Sequence, residues 1–341
     1  MFRFIKGLFS LALVVAIFAV GFSIYYSIYV IRSDKAIDFG IEQGMSVRTI
    51  AASLQAQGVM KTPKLFVYYS KFKHLDNKMR AGFYELNSGM TLEEIANKFV
   101  SGQVKQFPIK FIEGWNLSDY VVAIQSNLML GTGMANEFLK LVYDTQFISG
   151  IPFFRDYKIT SLEGYLFPDT YLLSGPQSAR ILVDMMLKEF IKVYYEEAKV
   201  ASAVSVNLNR NEKIVLASII EKETGDSSER AIIASVFYNR LKKGMPLQSD
   251  PTVIYGLKNF DGNLRKRDLS NPHIYNTYVH PGLPPGPICN PGRESIRAVL
   301  HPATTDYLYF VSKNNGTHEF SKNLQDHARA VMRYQIKGSN K

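Results

Sequence analysis

The sequence predicts an α+β protein in three parts: an N-terminal transmembrane helix, a small α/β domain and a larger mixed α+β domain. Three observations carry this. From Gly7 to Ile31 run 25 residues without a charge, and a bilayer takes about 20. Residues 36–105 place helices at apolar spacing between short strand candidates. Beyond residue 106, strong helical segments alternate with loops rich in Gly and Pro.

The N-terminal six residues, with Arg3 and Lys6, are expected in the cytoplasm, followed by the anchor at 7–31 and then Arg32 and Lys35. Bulky residues continue through Phe22, Tyr25 and Tyr29, which argues for a retained anchor rather than a cleaved signal peptide. Basic residues on both flanks give only a mild preference for a cytoplasmic N-terminus.

In the domain at 36–105, Ile37–Glu42 and Ala81–Leu86 read as strands, each followed by a helix. Those helices open on similar phrases, Gly44-Met45-Ser46-Val47 and Gly89-Met90-Thr91-Leu92. Ser46 and Thr91 suit N-caps, and Thr91 with Glu94 makes a capping box. Thr62-Pro63 opens a further helix to about Phe72. The domain at 106–341 holds an almost wholly apolar helix over Asn211–Glu223, which suggests burial on all sides. Asp226 and Glu229 frame a capping box for the next helix, which ends at Lys242-Lys243-Gly244. Tyr307–Val311 and Thr317–Ser321 flank Asn-Asn-Gly, a hairpin signature, before a last helix from about Leu324 to Tyr334.

Composition narrows function only broadly. The chain has 341 residues, 46% hydrophobic and 21% charged, which argues against wholesale disorder. A formal charge of +10 suits an anionic polymer or membrane surface. Arg265-Lys266-Arg267 is the only dense basic cluster and reads as a solvated loop, so no nucleic-acid partner is expected. The single cysteine, Cys289, excludes an intrachain disulfide and reads as a packed or loop thiol. There is no P-loop, dinucleotide fingerprint, G-x-S-x-G or H-E-x-x-H. The histidine spacing fits no standard metal pattern, and no metal or organic cofactor is implied.

The carboxylates say more. Glu221 follows the apolar run Leu216–Ile220 near a helix C-terminus. Desolvation and the helix dipole there both disfavour an anion, as a general acid requires. Taken alone it also reads as a solvated helix-end carboxylate. Glu223, two residues on, faces another direction and reads as exposed or capping. Glu163 sits in Leu162-Glu163-Gly164-Tyr165-Leu166-Phe167-Pro168-Asp169-Thr170-Tyr171, where aromatics and a carboxylate suit a sugar site or a packed turn. Gln248, Asp250, Asn276 and Tyr278 lie on loops stiffened by Pro and Gly, the usual build of a site.

These phrases, with Ala-Ser-Ile-Ile-Glu-Lys-Glu-Thr, Leu-Gln-Ser-Asp-Pro-Thr-Val-Ile-Tyr-Gly and Tyr-Asn-Thr-Tyr…Gly-Leu-Pro-Pro-Gly-Pro-Ile in this order, resemble the MltG (YceG-like) family of endolytic murein transglycosylases. The small domain similarly resembles a LysM-type carbohydrate-binding unit, the alternative being a spacer without a ligand. The family resemblance implies a protein of the bacterial inner membrane with its catalytic domain in the periplasm, acting on peptidoglycan glycan strands beside peptidoglycan synthases. It implies the first Glu of Glu-Lys-Glu-Thr, Glu221, as the acid/base, with Glu163, Gln248, Asp250, Asn276 and Tyr278 as candidates for binding sugar. The expected reaction cleaves the MurNAc–GlcNAc bond and leaves 1,6-anhydroMurNAc ends. A lysozyme-like hydrolase and a noncatalytic wall-binding scaffold are the rivals.

Overall fold

The computed structural model describes residues 12–21, 36–87, 89–127, 130–174, 178–199 and 206–336. The α+β class is as expected, but the transmembrane helix is not. Residues 12–21 are helical and form α1. Among the described residues no helix is long and apolar enough to cross a membrane. This corrects the expected anchor and, with it, the single-pass inner-membrane placement; the rest of 7–31 lies outside the described residues.

The chain forms two compact units, Met1–Pro108 with Leu172–Gln177, and Ile109–Tyr171 with Ser178–Lys341. In the first, β1 (Ile37–Ile41) pairs antiparallel with β2 (Gly82–Leu86), and α2 (Val47–Ala56) and α3 (Pro63–Phe72) lie between them in sequence. The helix α4 (Leu92–Ser101) follows. Ser46 and Thr91 cap as expected; the Thr91 hydroxyl accepts from the Glu94 N–H, and the Glu94 carboxylate accepts from the Thr91 N–H in return. The core is aromatic. Phe39, Phe66, Tyr84 and Phe99 are fully buried around one another, with the Tyr84 and Phe99 rings 4.7 Å apart. The Tyr84 hydroxyl avoids a desolvation cost by donating to the Arg80 carbonyl at 2.6 Å.

The second unit is mostly helical. After α5 (Leu117–Ser126), α6 (Gly131–Val142), the short α7 (Thr145–Ser149) and α8 (Ala179–Ala198) comes α9 (Arg210–Glu223). Ile214 through Ile220 on α9 are all buried, because α10 (Arg230–Lys242), α11 (Asp250–Gly256) and α12 (Arg293–Leu300) all pack against it. Burying a side chain of this kind stabilises by about 1.5–3 kcal/mol, so α9 is the axis on which the unit condenses. A two-stranded hairpin, β5 (Tyr309–Ser312) with β6 (His318–Ser321), and α13 (Leu324–Val331) close the chain. The remaining strands, β3 (Phe107–Lys110) and β4 (Thr170–Leu173), form a separate two-stranded sheet.

The capping box expected at Asp226 and Glu229 does not form. Glu229 occupies the N-cap position of α10 without a side-chain cap bond. Its carboxylate instead accepts from the His318 N–H at 2.9 Å and lies 2.7 Å from His318 Nδ1, fixing the hairpin to the start of α10.

Candidate active site

Two clefts of the second unit draw on both α9 and α11. The smaller, about 480 Å³, is lined by Glu223, Arg240, Gln248, Asp250 and Tyr278 on one side and by Phe310, His318 and His327 from the C-terminal segment on the other. The larger, about 860 Å³, is lined by Glu163, Tyr143, Lys222, Tyr255 and Tyr275, among others.

Glu223 is the last residue of α9. Its Oε1 accepts from the Ser249 hydroxyl at 2.5 Å. Ser249 is itself buried and held from below: its N–H donates to Thr277 Oγ1 at 3.0 Å, and its carbonyl accepts from Thr252 Oγ1 at 2.6 Å. Burial pushes the Glu223 carboxyl up to about 7, against the Ser249 bond, which favours the anion; Asp250 adds to the rise and Arg240 opposes it. Such a group exchanges a proton near neutral pH, as an acid/base must. Arg240 is anchored by the Leu308 carbonyl at 2.7 Å and the Leu247 carbonyl at 2.8 Å, so its guanidinium serves the loop as well as the cleft.

Of the loop residues the sequence singled out, Gln248, Asp250 and Tyr278 meet here. Gln248 holds a left-handed backbone, φ 49°. That conformation is costly for a residue with a Cβ and concentrates at functional sites. Asp250 is exposed at the start of α11 and accepts from the Tyr278 hydroxyl at 2.6 Å. Asn276 is buried and does not face the cleft chemistry. Its amide donates to the Leu269 and Asn271 carbonyls and its oxygen accepts from the Tyr278 N–H, so it shapes the loop that carries Tyr278.

Glu221 is placed differently. Its side chain is 6% exposed, and neither cleft is lined by it. One carboxylate oxygen pairs with the buried Arg230 guanidinium at 3.3 Å and the other accepts from the Gly292 N–H at 2.9 Å. Glu113 completes this cluster; partial burial raises its carboxyl, as does the Glu221 charge, while Arg230 lowers it. A Cβ at Gly292 would meet the Glu113 carboxyl group, which would have to swing aside.

Glu163 lines the larger cleft, away from Gln248 and Asp250. Its carboxyl accepts from the Leu117 N–H at 3.1 Å and from Asn290 Nδ2 at 3.3 Å. Burial nevertheless pushes it up to about 8. Gly164, at φ 84°, lets the turn pass against Pro287, where a Cβ would clash. Both raised carboxyls stand above their value of 4.5 in open chain, so the native state holds protons that the unfolded state releases. Their stabilisation is full below about pH 4.5 and is lost as pH rises through 7 and 8. Scanning calorimetry should therefore show a lower Tm at pH 9 than at pH 6, and Glu163→Gln should flatten that slope.

Sequence reasoning read Glu223 as exposed or capping and did not single out Arg240 or the hairpin wall of the smaller cleft. The loop Leu-Gln-Ser-Asp-Pro was the available signal for Glu223, since Ser249 within it supplies the partner. Cys289 is buried, as expected of a packed thiol, and donates to the Ser218 carbonyl of α9 at 3.2 Å.

The chain is 38% identical over 317 residues to the endolytic murein transglycosylase of Bacillus subtilis, covering 89% of this chain and 86% of that protein. A protein of the same description from Streptococcus pneumoniae R6 is 31% identical over 329 residues, which cover 88% of this chain and 58% of the longer relative. The crystal structure of a putative YceG-like protein from Listeria monocytogenes aligns with a TM-score of 0.56 at 33% identity, over 87% of this chain and 99% of that one. With residues 39–333 matching the family's own pattern, the chain belongs to the YceG-like family.

Proposed function

We propose that Glu223, in the place the motif resemblance gives to Glu221, is the acid/base of this lytic transglycosylase. The chain is an endolytic murein transglycosylase, as its Bacillus subtilis relative is named, and peptidoglycan glycan strands are its substrate. The observation that carries the residue assignment is the Glu223 carboxyl, raised to about 7 and seated in a cleft on a buried Ser249 hydroxyl. Glu221, by contrast, has both oxygens committed to Arg230 and Gly292.

In this reading protonated Glu223 gives its proton to the oxygen between MurNAc and GlcNAc as the bond breaks with oxocarbenium character. The carboxylate left behind takes the proton of the C6 hydroxyl on the same MurNAc, whose oxygen closes on C1 to form the 1,6-anhydro ring. Glycosidases that use water or a covalent intermediate need two carboxylates. An internal nucleophile already held close to C1 reduces that need to one. Gln248, Asp250 and Tyr278 border the same cleft and are among the groups that can meet sugar hydroxyls there. Cutting within strands would end the growth of nascent glycan beside peptidoglycan synthases.

The first unit is read as the LysM-like module, supported by its antiparallel β1–β2 pair with two helices between the strands. Mass spectrometry of purified strands digested by the protein tests the reaction: anhydro ends are expected. Reducing ends would instead indicate hydrolysis, with Asp250 as the second carboxylate.

A further inference from the structure

The larger cleft has no role in the bond-breaking step, yet it is built on the same two helix ends as the smaller one. Lys222 lines the larger cleft and Glu223 the smaller; Pro251 lines the larger and Asp250 the smaller. Neighbouring Cα atoms lie about 3.8 Å apart, so both clefts are bordered by the C-terminus of α9 and the N-terminus of α11. At about 860 Å³ the larger has the room of a small-molecule site.

Its walls are aromatic and incompletely covered. The Tyr255 and Tyr275 rings lie 4.8 Å apart at 45°, and Tyr143 and Phe260 are 51% and 38% exposed. Exposed rings of this size cost hydration unless something stacks on them. The lining carries charges of both signs, Lys222 and Lys258 beside Asp119. Lys222 Nζ is taken by the Gly114 carbonyl at 3.2 Å, and the Asp119 carboxylate accepts from the Asn116 N–H at 2.9 Å as part of the α5 cap. Flat ring faces beside hydrogen-bonding groups of both signs suit a sugar, whose ring faces stack and whose hydroxyls both donate and accept.

We propose that this cleft binds glycan rings of the same strand several sugars away from the bond cut at Glu223, with Tyr143, Phe260 and Tyr275 as stacking faces. The inference rests on the glycan-cutting reading above. It gives a physical basis for cutting within strands, because an internal bond always has sugars on both sides to fill both clefts, whereas a short fragment fills only one.

The test uses the full chain carrying Glu223→Gln and peptide-free glycan oligosaccharides of increasing length, with affinity measured by calorimetry. Long oligosaccharides should bind about tenfold more tightly than short ones. Adding Tyr143→Ala with Phe260→Ala, both at exposed positions, should remove that advantage while circular dichroism and Tm hold; Tyr275→Ala should do the same. In the active enzyme the same variants should raise KM for long strands by about tenfold and leave kcat in place. Binding that shows no length advantage, an advantage that survives the substitutions, or an advantage that requires stem peptides would each overturn the proposal while leaving the cutting mechanism standing. Failure to bind glycan of any length would overturn both.

Discussion

Glu223→Gln is expected to lower kcat on glycan strands by about a thousandfold, within the 10²–10⁴ range of a positioned general acid, with the fold retained. The amide keeps an oxygen for the Ser249 hydroxyl, so the cleft should hold its shape. The proton makes a second signature. Catalysis begins from the protonated carboxyl, so kcat/KM should be level on the acid side and fall as pH rises past about 7. Ser249→Ala removes the hydrogen bond that favours the anion. It should therefore raise the Glu223 pKa and move the falling limb to higher pH, a shift that a loss of packing alone would not produce. The pH–rate profiles of wild type and Ser249→Ala check this.

Arg230→Ala is the substitution expected to cost most in stability, about 3–5 kcal/mol, because it leaves the buried Glu221 carboxylate without its cation. The loss should depend on pH with a definite sign. Without Arg230 the Glu113 carboxyl, already raised by burial, loses the charge that lowers it, so the deficit should be larger at pH 8 than at pH 5, where that carboxyl takes up a proton. Urea unfolding at the two pH values measures it. Since the Arg230–Glu221 pair joins the end of α9 to the start of α10, and Gly292 ties it to the start of α12, partial loss of activity should accompany the instability.

Much of the fold was legible because local physics fixed it. Ser46 and Thr91 cap helices wherever such residues precede an apolar period, and Asn-Asn-Gly turns the hairpin with Asn314 and Gly316 at positive φ. The anchor was read from an uncharged run, which does not itself say how much of it is one helix, and among the described residues no helix is long and apolar enough to cross a membrane. The choice between Glu221 and Glu223 was hidden for a related reason. Periodicity phases a helix by contrasting apolar and polar faces, and α9 is buried through seven consecutive residues before them. A helix apolar on every side carries no phase, so the sequence could place two carboxylates at its end but not say which one meets a cleft and which one meets Arg230. The partners that decide it, Ser249 and Gly292, come 26 and 71 residues further along. Asn276 was recognised as part of a site loop, but its three hydrogen bonds within that loop depend on a backbone path that no local pattern reports.

The most direct measurement digests purified glycan strands with wild type, Glu223→Gln and Glu221→Gln side by side and reads the ends by mass spectrometry, each protein first shown to be folded. The account predicts 1,6-anhydroMurNAc ends from wild type, ends of the same kind at reduced yield from Glu221→Gln, and none from Glu223→Gln. Anhydro ends from Glu223→Gln at the wild-type rate, with none from a folded Glu221→Gln, would contradict it.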